Sequence, residues 1–375
     1  MKRIWELTRR KERVVAGCLS GTSADGVSVA LVRIRGAGPG ASVVPLASGR
    51  MPYPPRLRER LLHAPRLEAP EIARLDVEVA EVFARAVRRI ARARPDLVGS
   101  HGQTIYHGGG AGVRATLQVG DGDVIAERLR VPVVSDFRAR DVAAGGAGAP
   151  LTPYADFVLF GGKPERAILN LGGIANLTLL GRRLEEVEGF DTGPGNMVLD
   201  GLVRAAGKGR LDAGGRRALR GRLLPDLLAW MGSHPFLRKA PPKSTGREEF
   251  GENFVRRLRR RAGRARLEDL LATAAEFTAE CVARAIRDFV SPRRELAEVL
   301  VAGGGVRNRA LMRALARRLA PLAVRSTAVA GVDPDAREAI ALAILANDAL
   351  FGLPTGLPRV TGARRAVTLG KISLP

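Results

Sequence analysis

Cysteine is almost missing from this chain: Cys18 and Cys281 are the two thiols in 375 residues. One possible bridge is no disulfide framework, so the cysteines give no sign of an oxidising compartment. The four histidines, His63, His101, His107 and His234, fall in no HExxH motif. No CxxC occurs either, which argues against a protein-built zinc site. No apolar run approaches the ~20 residues that span a bilayer. The start, MKRIWELTRRKERVVAG, is basic but lacks the apolar stretch of about 7–15 residues that marks a signal peptide. A soluble cytoplasmic protein is the expectation. Lysine is scarce too: seven of the 61 basic residues, the remainder being arginine.

The length favours two domains, at roughly 100–200 residues each. Apolar residues make up 46% and charged residues 26%, so a packed core is expected. The formal charge of +23 raises the question of nucleic acid or acidic membranes. The best feature for nucleic acid is RRLRRRAGRAR (256–266), with arginine at seven of eleven positions. No aromatic residue interleaves with these arginines, and no reader motif appears. Elsewhere the arginines line polar helix faces, as Arg309, Arg313, Arg317 and Arg318 do beside Leu311, Leu315 and Leu319. Solvated helix faces account for most of the surplus. Neither the 256–266 cluster nor the basic segment 1–12 is assigned a role.

Residues 13–35 read as strand, Gly/Ser/Thr/Asp turn, strand, with Val27, Val29 and Leu31 on one face. Residues 71–93 carry apolar positions at helical spacing, and 96–107 read as a short strand running into a polar loop. The Gly- and Pro-rich stretch after VPVVSDF fits a lobe boundary near 150. The second half opens like the first: ERAILNLGGIANLTLLG (165–181) is again strand, Gly turn, strand. A strand, Gly/Pro loop and helix follow (186–203), then a long core-facing helix over 270–290 and a strand–GGG–helix unit over 298–319. The helix ending at 350 is apolar almost all round and should be buried. This alternation predicts α/β lobes with largely parallel sheets: a first lobe of 1–150, completed by 351–375, and a second of 151–350.

Four loops share a composition: SGTSADG (20–26), LGGIAN (171–176), DTGPGN (191–196) and AGGGVRN (302–308). Glycine lets backbone N–H groups turn toward an anion, and Ser and Thr add hydroxyl donors. No Walker loop, no full Rossmann pattern and no protein-kinase signature is present. What remains is two lobes, each opening with a Gly-turn hairpin, and a nucleotide held between them.

At this point the sequence resembles the anhydro-N-acetylmuramic acid kinases of the actin/Hsp70/hexokinase-like superfamily. The matching stretches include LSGTSADGV, SHGQTIYH, TLQVGD, DFRARDVAAGGAGAPL, LNLGGIANLT, FDTGPGNMVLD, PPKSTGREEF, AGGGVRN and DPDAREAIALA, in the family's order over about 14–370. The resemblance implies a two-lobed actin/Hsp70/hexokinase-like fold with the nucleotide cleft between lobes. It implies an ATP- and Mg²⁺-dependent homodimer that opens 1,6-anhydro-N-acetylmuramic acid with water and phosphorylates O6. The product would be N-acetylmuramic acid 6-phosphate, in cell-wall recycling. The alternatives are a kinase of this fold acting on another sugar or small carboxylate, and, remotely, an Arg-rich nucleic-acid-binding protein. The positive surplus would then speed the encounter with two anions, ATP and a carboxylate sugar.

Opening the bridge needs a base to activate water at C1, as in an inverting glycosidase. The family's catalytic aspartate falls at Asp191. Nucleotide contacts are expected from Gly21, Thr22, Ser23, Ala24, Asp25, Gly26, Val27 and Ser28. Gly172, Gly173, Asn176, Gly303, Gly304, Gly305 and Asn308 join them, the three glycines presenting a helix N-terminus. Asp25 is either a Mg²⁺ ligand, directly or through water, or a turn residue. Substrate contacts are expected at His101 and Gln103, in a loop, and at Thr192 and Gly193. Arg138 and Asp141 either bind substrate or pair with each other. Lys243, Ser244, Thr245 and Arg247 form a polar loop able to meet a phosphate or the lactyl carboxylate. Glu338 is either structural at its helix N-terminus or faces the cleft. Three positions depart from the family: Ser28 where Asp is usual, Ala147 where Gln is common, and Asp156 where His is common.

Overall fold

The apolar alternation around the first Gly turn forms two long antiparallel strands, β1 (Glu12–Ser20) and β2 (Gly26–Arg35). These and all other elements come from a computed structural model, which describes residues 2–110, 112–162 and 164–375. β3 (Ser42–Pro52) continues the antiparallel run on β2. After the helix Ala69–Ala91, β4 (Leu97–Gly110) lies parallel to β1, with β5 (Val113–Val119) folded back on it. β6 (Val133–Ser135) then pairs parallel with β4. One face of this sheet, with Val27, Val29 and Leu31, is covered by the helix Ala69–Ala91 through Leu75, Val79, Val82, Phe83 and Val87.

The second sheet repeats the design. β7 (Arg166–Leu171) and β8 (Ile174–Leu180) form the second Gly-turn hairpin, and β9 (Glu188–Pro194) pairs antiparallel with β8. β10 (Glu298–Ala302) lies parallel to β7, and β11 (Ala323–Ser326) parallel to β10. The order β9-β8-β7-β10-β11 matches β3-β2-β1-β4-β6 strand for strand and direction for direction. The first sheet adds β12 (Lys371–Ser373), antiparallel on β6. Both sheets are mixed, where largely parallel ones were expected. A turn of two to five residues can only join antiparallel strands, so each opening hairpin forces that pairing.

In the second unit, Leu169, Leu171, Leu177, Leu179, Phe190, Val299 and Val301 face a helical layer. That layer includes Asn196–Ala205, Leu267–Ala285 and Arg309–Leu319. Arg317 and Arg318 pair with Glu276 and Glu280 across two of these helices, so part of the arginine surplus is structural. Arg257 and Arg261 of the 256–266 cluster lie over the Trp230 ring at 5.7 and 5.9 Å.

The chain divides into residues 1–160 with 336–375, and residues 161–335. The expected boundary near 150 therefore falls after the helix Thr152–Phe160. The buried helix Arg337–Leu350, expected in the second lobe, belongs to the first unit. It lies against β1 and β4 because both strands carry glycine beneath it. A Cβ at Gly17 would sit 1.8 Å from the Ala339 carbonyl, and one at Gly99 2.4 Å from that of Leu342. Arg337, at the helix start, forms a buried bidentate pair with Asp156. That pairing accounts for Asp at 156. Among the described residues no helix is long and apolar enough to cross a membrane.

Candidate active site

In the first unit the β1–β2 turn spans residues 21–25. The Ala24 N–H donates to the Gly21 carbonyl at 3.0 Å, which closes the turn. Gly21, Thr22 and Ser23 are exposed, whereas Ala24 turns its methyl into the core with φ 48°. Gly26, Val27 and Ser28 belong to β2 instead of the loop, and the Val27 side chain is wholly buried. The polar groups turned out toward a ligand are therefore the Thr22 hydroxyl and the turn's backbone, the Ser23 hydroxyl being bonded to Asp25. Asp25 pairs with Arg58 at 3.1 Å and Arg50 at 3.7 Å. Burial raises its carboxyl, but the Ser23 hydrogen bond and the two guanidinium groups outweigh this and hold it below the usual range. Ser28 is the register partner of Arg50 across β3.

His101 and Gln103 lie on β4, where a loop was expected. Gln103 is buried, and its carboxamide is spent on protein. Oε1 accepts from Ser20 Oγ at 2.6 Å, and Nε2 donates to the Gly21 and Thr104 carbonyls at 3.2 and 3.1 Å. Gln103 thus braces the root of the exposed turn. His101 is fixed in one tautomer. Its Nε2 accepts from Arg138 Nε at 2.9 Å, so Nδ1 is the donor to the Gly102 carbonyl at 3.1 Å. Burial, aided by the Arg138 charge, pushes this imidazole down to about 3, so it stays neutral.

Arg138 also donates to the Gly148 carbonyl at 2.7 Å, and burial lowers its guanidinium to about 10. No carboxylate among the described residues lies within ion-pair distance of it. The exposed Glu338 acts only through its field. Asp141 does not pair with Arg138. It is buried and accepts from the Gly148 N–H at 2.7 Å and Thr361 Oγ at 2.8 Å, fixing the Gly-rich loop. Ala147 is exposed, and nothing in the structure explains its departure.

In the second unit the pairing of β8 with β9 contains a bulge. Ala175 is opposite Gly193, yet Asn176 is opposite Asp191, so Thr192 has no partner in the ladder. Side chains alternate along a strand, so this extra residue decides which face the preceding ones occupy. Phe190 faces the core beside Leu177, and Asp191 emerges on the other face beside Asn176. Without the bulge, Asp191 would stand opposite Leu177 on the core side. Thr192 itself is buried, its hydroxyl donating to the Ala175 carbonyl at 3.0 Å. Gly193 leaves room for Cys281, whose Sγ would lie 3.0 Å from a Cβ there. Neither Thr192 nor Gly193 offers a side-chain group to a substrate.

Among the described residues of β9, Asp191 is the carboxylate on the Asn176 face. It sits within β9, where a Gly/Pro loop was expected. Oδ2 accepts from Ser244 Oγ and from the Thr245 N–H, both at 2.9 Å. Its own N–H donates to the Lys243 carbonyl at 3.0 Å, so the 243–245 segment caps this sheet edge. Oδ1 has no hydrogen-bond donor among the described residues. Burial raises the carboxyl above the usual aspartate range, only partly offset by the two hydrogen bonds. Lys243 turns inward, its Nζ 4.9 Å from the Phe236 ring and 4.8 Å from that of Phe289. Arg247 is exposed.

The remaining glycine loops are placed differently from expectation. The Gly172 and Gly173 carbonyls accept from the N–H groups of Gly195, Asn196 and Met197, capping the helix Asn196–Ala205. Gly303–Gly305 do not present a helix N-terminus. A 3₁₀ turn, Gly304–Arg307, intervenes, and the helix starting at Arg309 is capped by the Asn308 carboxamide on the Leu311 N–H. Gly305 packs on Leu171, Gly304 is exposed, and Gly303 (φ 81°) closes over the Asn170 amide oxygen.

That last contact marks a residue the sequence reading passed over. Asn170, Asn176 and Asp191 form a row across β7, β8 and β9, near the carboxyl end of β7. Neither asparagine side chain has a hydrogen-bond partner among the described residues. The hint was available: the two stand symmetrically about Gly173 in NLGGIAN, so a hairpin must set them opposite each other.

Residues 13–375 match the family described as anhydro-N-acetylmuramic acid kinase. A relative of that name from Salinibacter ruber is 45% identical, with both chains covered in full. One from Caldanaerobacter subterraneus subsp. tengcongensis is 39% identical, again over 100% of each chain. A third, from Gloeobacter violaceus, is 44% identical over 96% of this chain and 98% of its own. From the first strand onward, then, the chain belongs to the anhydro-N-acetylmuramic acid kinase family.

Proposed function

We propose that the protein uses ATP to phosphorylate 1,6-anhydro-N-acetylmuramic acid at O6 while water opens the anhydro bridge at C1. The products are N-acetylmuramic acid 6-phosphate and ADP. Family membership supports the sugar-kinase activity. The observation that carries the ring opening is Asp191, with one oxygen locked by Ser244 and Thr245 and the other free.

An inverting glycosidase needs a base for water and an acid for the leaving oxygen. Here O6 takes the γ-phosphoryl group in place of a proton, so a single carboxylate suffices. A carboxyl raised by burial is a better base than an ordinary aspartate. Phosphoryl transfer itself rests on positioning and charge stabilisation. The exposed Thr22 hydroxyl serves as a phosphate donor, on a turn held by Gln103. Arg138, fixed by His101 and lacking a carboxylate partner, suits the lactyl carboxylate.

Mg²⁺ does not fit Asp25 as a direct ligand, because two guanidinium groups already hold that carboxylate. Among the described residues no cluster of three or more metal-ligating side chains exists. The ion is better carried by the nucleotide phosphates and water. We further propose a cytoplasmic homodimer, testable by sedimentation of the purified protein.

The test uses ¹⁸O-water and γ-labelled ATP. The label from ATP should appear on O6 and ¹⁸O at C1 of the same product molecule. Phosphorylated sugar without ¹⁸O at C1 would remove the coupled hydrolysis. Transfer to other sugars, with none to the anhydro sugar, would change the substrate.

A further inference from the structure

We infer that Asn176 orients the attacking water for Asp191. The inference rests on Asp191 being the base, and it gives Asn176 a different task from the nucleotide contact its glycine-turn setting suggests.

The bulge at Thr192 makes Asn176 and Asp191 direct partners on adjacent strands, on the face turned away from Leu177 and Phe190. Directly opposed residues in an antiparallel pair have Cβ atoms about 4.5–5.5 Å apart. One water molecule can therefore touch both side chains. Asp191 Oδ2 is committed to Ser244 and Thr245, which leaves Oδ1 for that water. The Asn176 carboxamide is half-buried and carries no hydrogen bond to protein among the described residues. Its neighbour along the strand, Thr178, is buried on the same face. A polar amide left unpaired beside the base is a group held in reserve for a ligand.

The chemistry needs such a group. Water has two O–H bonds, and the base engages one of them. With the other free, the oxygen lone pair can swing away from C1. A second acceptor on that O–H fixes the lone pair's direction. An amide oxygen is suited to this because it accepts a hydrogen bond but does not take the proton. A second carboxylate would instead push Asp191 toward its protonated form. In the step, the water oxygen bonds to C1 as its proton passes to Asp191 Oδ1. The C1–O6 bond breaks, and the O6 electron pair bonds to the γ-phosphorus. The γ-phosphorus bond to the β–γ bridging oxygen breaks, and ADP leaves. Asn176 gains and loses nothing.

Steady-state kinetics on the full-length enzyme test this, with unfolding curves to show that each variant folds. Asn176→Ala should lower kcat roughly 10–100-fold, the scale of a misplaced reactant. Its KM values for ATP and sugar should stay within about twofold of wild type. Asn176→Asp restores an acceptor, so it should recover part of kcat at high pH while moving the acidic limb of the profile upward. If Asn176→Ala fails to fold, Asn176→Asp and Asn176→Ser carry the test through the same kcat-against-KM split. A kcat within twofold of wild type overturns the inference. So does a tenfold rise in KM for ATP with kcat retained, which would make Asn176 a nucleotide contact. Asp191→Asn separates the two levels. If it keeps full turnover, the base itself is misassigned. If it is inactive while Asn176→Ala is normal, only the water-orienting role falls.

Discussion

The two hairpins that open the two sheets share one topology and are equipped in opposite ways. The first has a five-residue turn, 21–25, with hydroxyls outside and the Gln103 carboxamide at its root spent on protein. The second has a two-residue turn, Gly172–Gly173, with no side chains and with its carbonyls committed to a helix. Its strands instead display the unpartnered amides of Asn170 and Asn176, next to a carboxylate with one free oxygen. The first hairpin holds and the second reacts. Strand order sets where a ligand can lie, and the length and satisfaction of each turn set what is done to it.

The most severe break of this contrast is Asp191→Asn. Loss of a general base should cut turnover about 10³-fold, read by labelled phosphate transfer to the anhydro sugar. Turnover at the wild-type rate would mean that the second hairpin does not hold the chemistry. Next comes Arg337→Met, which strands Asp156 as a buried, unpaired carboxylate in the first unit. Urea unfolding should show a loss of about 3–5 kcal/mol at an unchanged m-value. A loss under ~1 kcal/mol would show that the pair does not anchor this unit.

Gln103→Ala should loosen the exposed turn without touching the base. KM for ATP is expected to rise roughly tenfold, the worth of one or two net hydrogen bonds, with kcat changed less than about threefold. An equal fall in kcat alone would move Gln103 from holding to reacting. The smallest effect is Ser244→Ala. Turnover needs the Asp191 carboxylate, so activity falls as pH drops through its raised pKa. The Ser244 hydroxyl favours the charged form, so removing it raises that pKa further and shifts the acidic limb to higher pH. The plateau kcat should fall less than about threefold. A limb that moves down, or not at all, would show that Ser244 does not tune the base.

Much of this was visible in the order of residues. The alternation of Val27, Val29 and Leu31, the helical spacing over 71–93, and the repeated Gly-turn hairpin are local patterns, and local patterns survive folding. FDTGPGN pointed to Asp191; the loop in PPKSTGRE was expected to meet a phosphate or the lactyl carboxylate, and its Ser244 and Thr245 bond the Asp191 carboxylate. What could not be read depends on partners distant in sequence. Gln103 looks like a loop residue until β1 lies beside it and Ser20 takes its amide. The helix Arg337–Leu350 is apolar enough for either unit, and only Gly17 and Gly99, more than 200 residues earlier in the chain, record where it packs. Asn308 is a different case: an asparagine before an apolar-periodic helix is a recognisable N-cap. The surrounding glycines drew attention to a ligand instead.

The unpaired Thr192 turns the placement of the base into a question of parity. Substitutions in β9 leave the count of residues between Pro194 and Asp191 unchanged. A single deletion there makes the count even with β8. Asp191 then still stands opposite Asn176 and Phe190 opposite Leu177, in a ladder with no bulge. What would exchange Phe190 and Asp191 between faces is a one-residue slip that takes Thr192 into the ladder opposite Asn176. The bulge thus lets β9 carry one residue more than β8 without turning its carboxylate into the core.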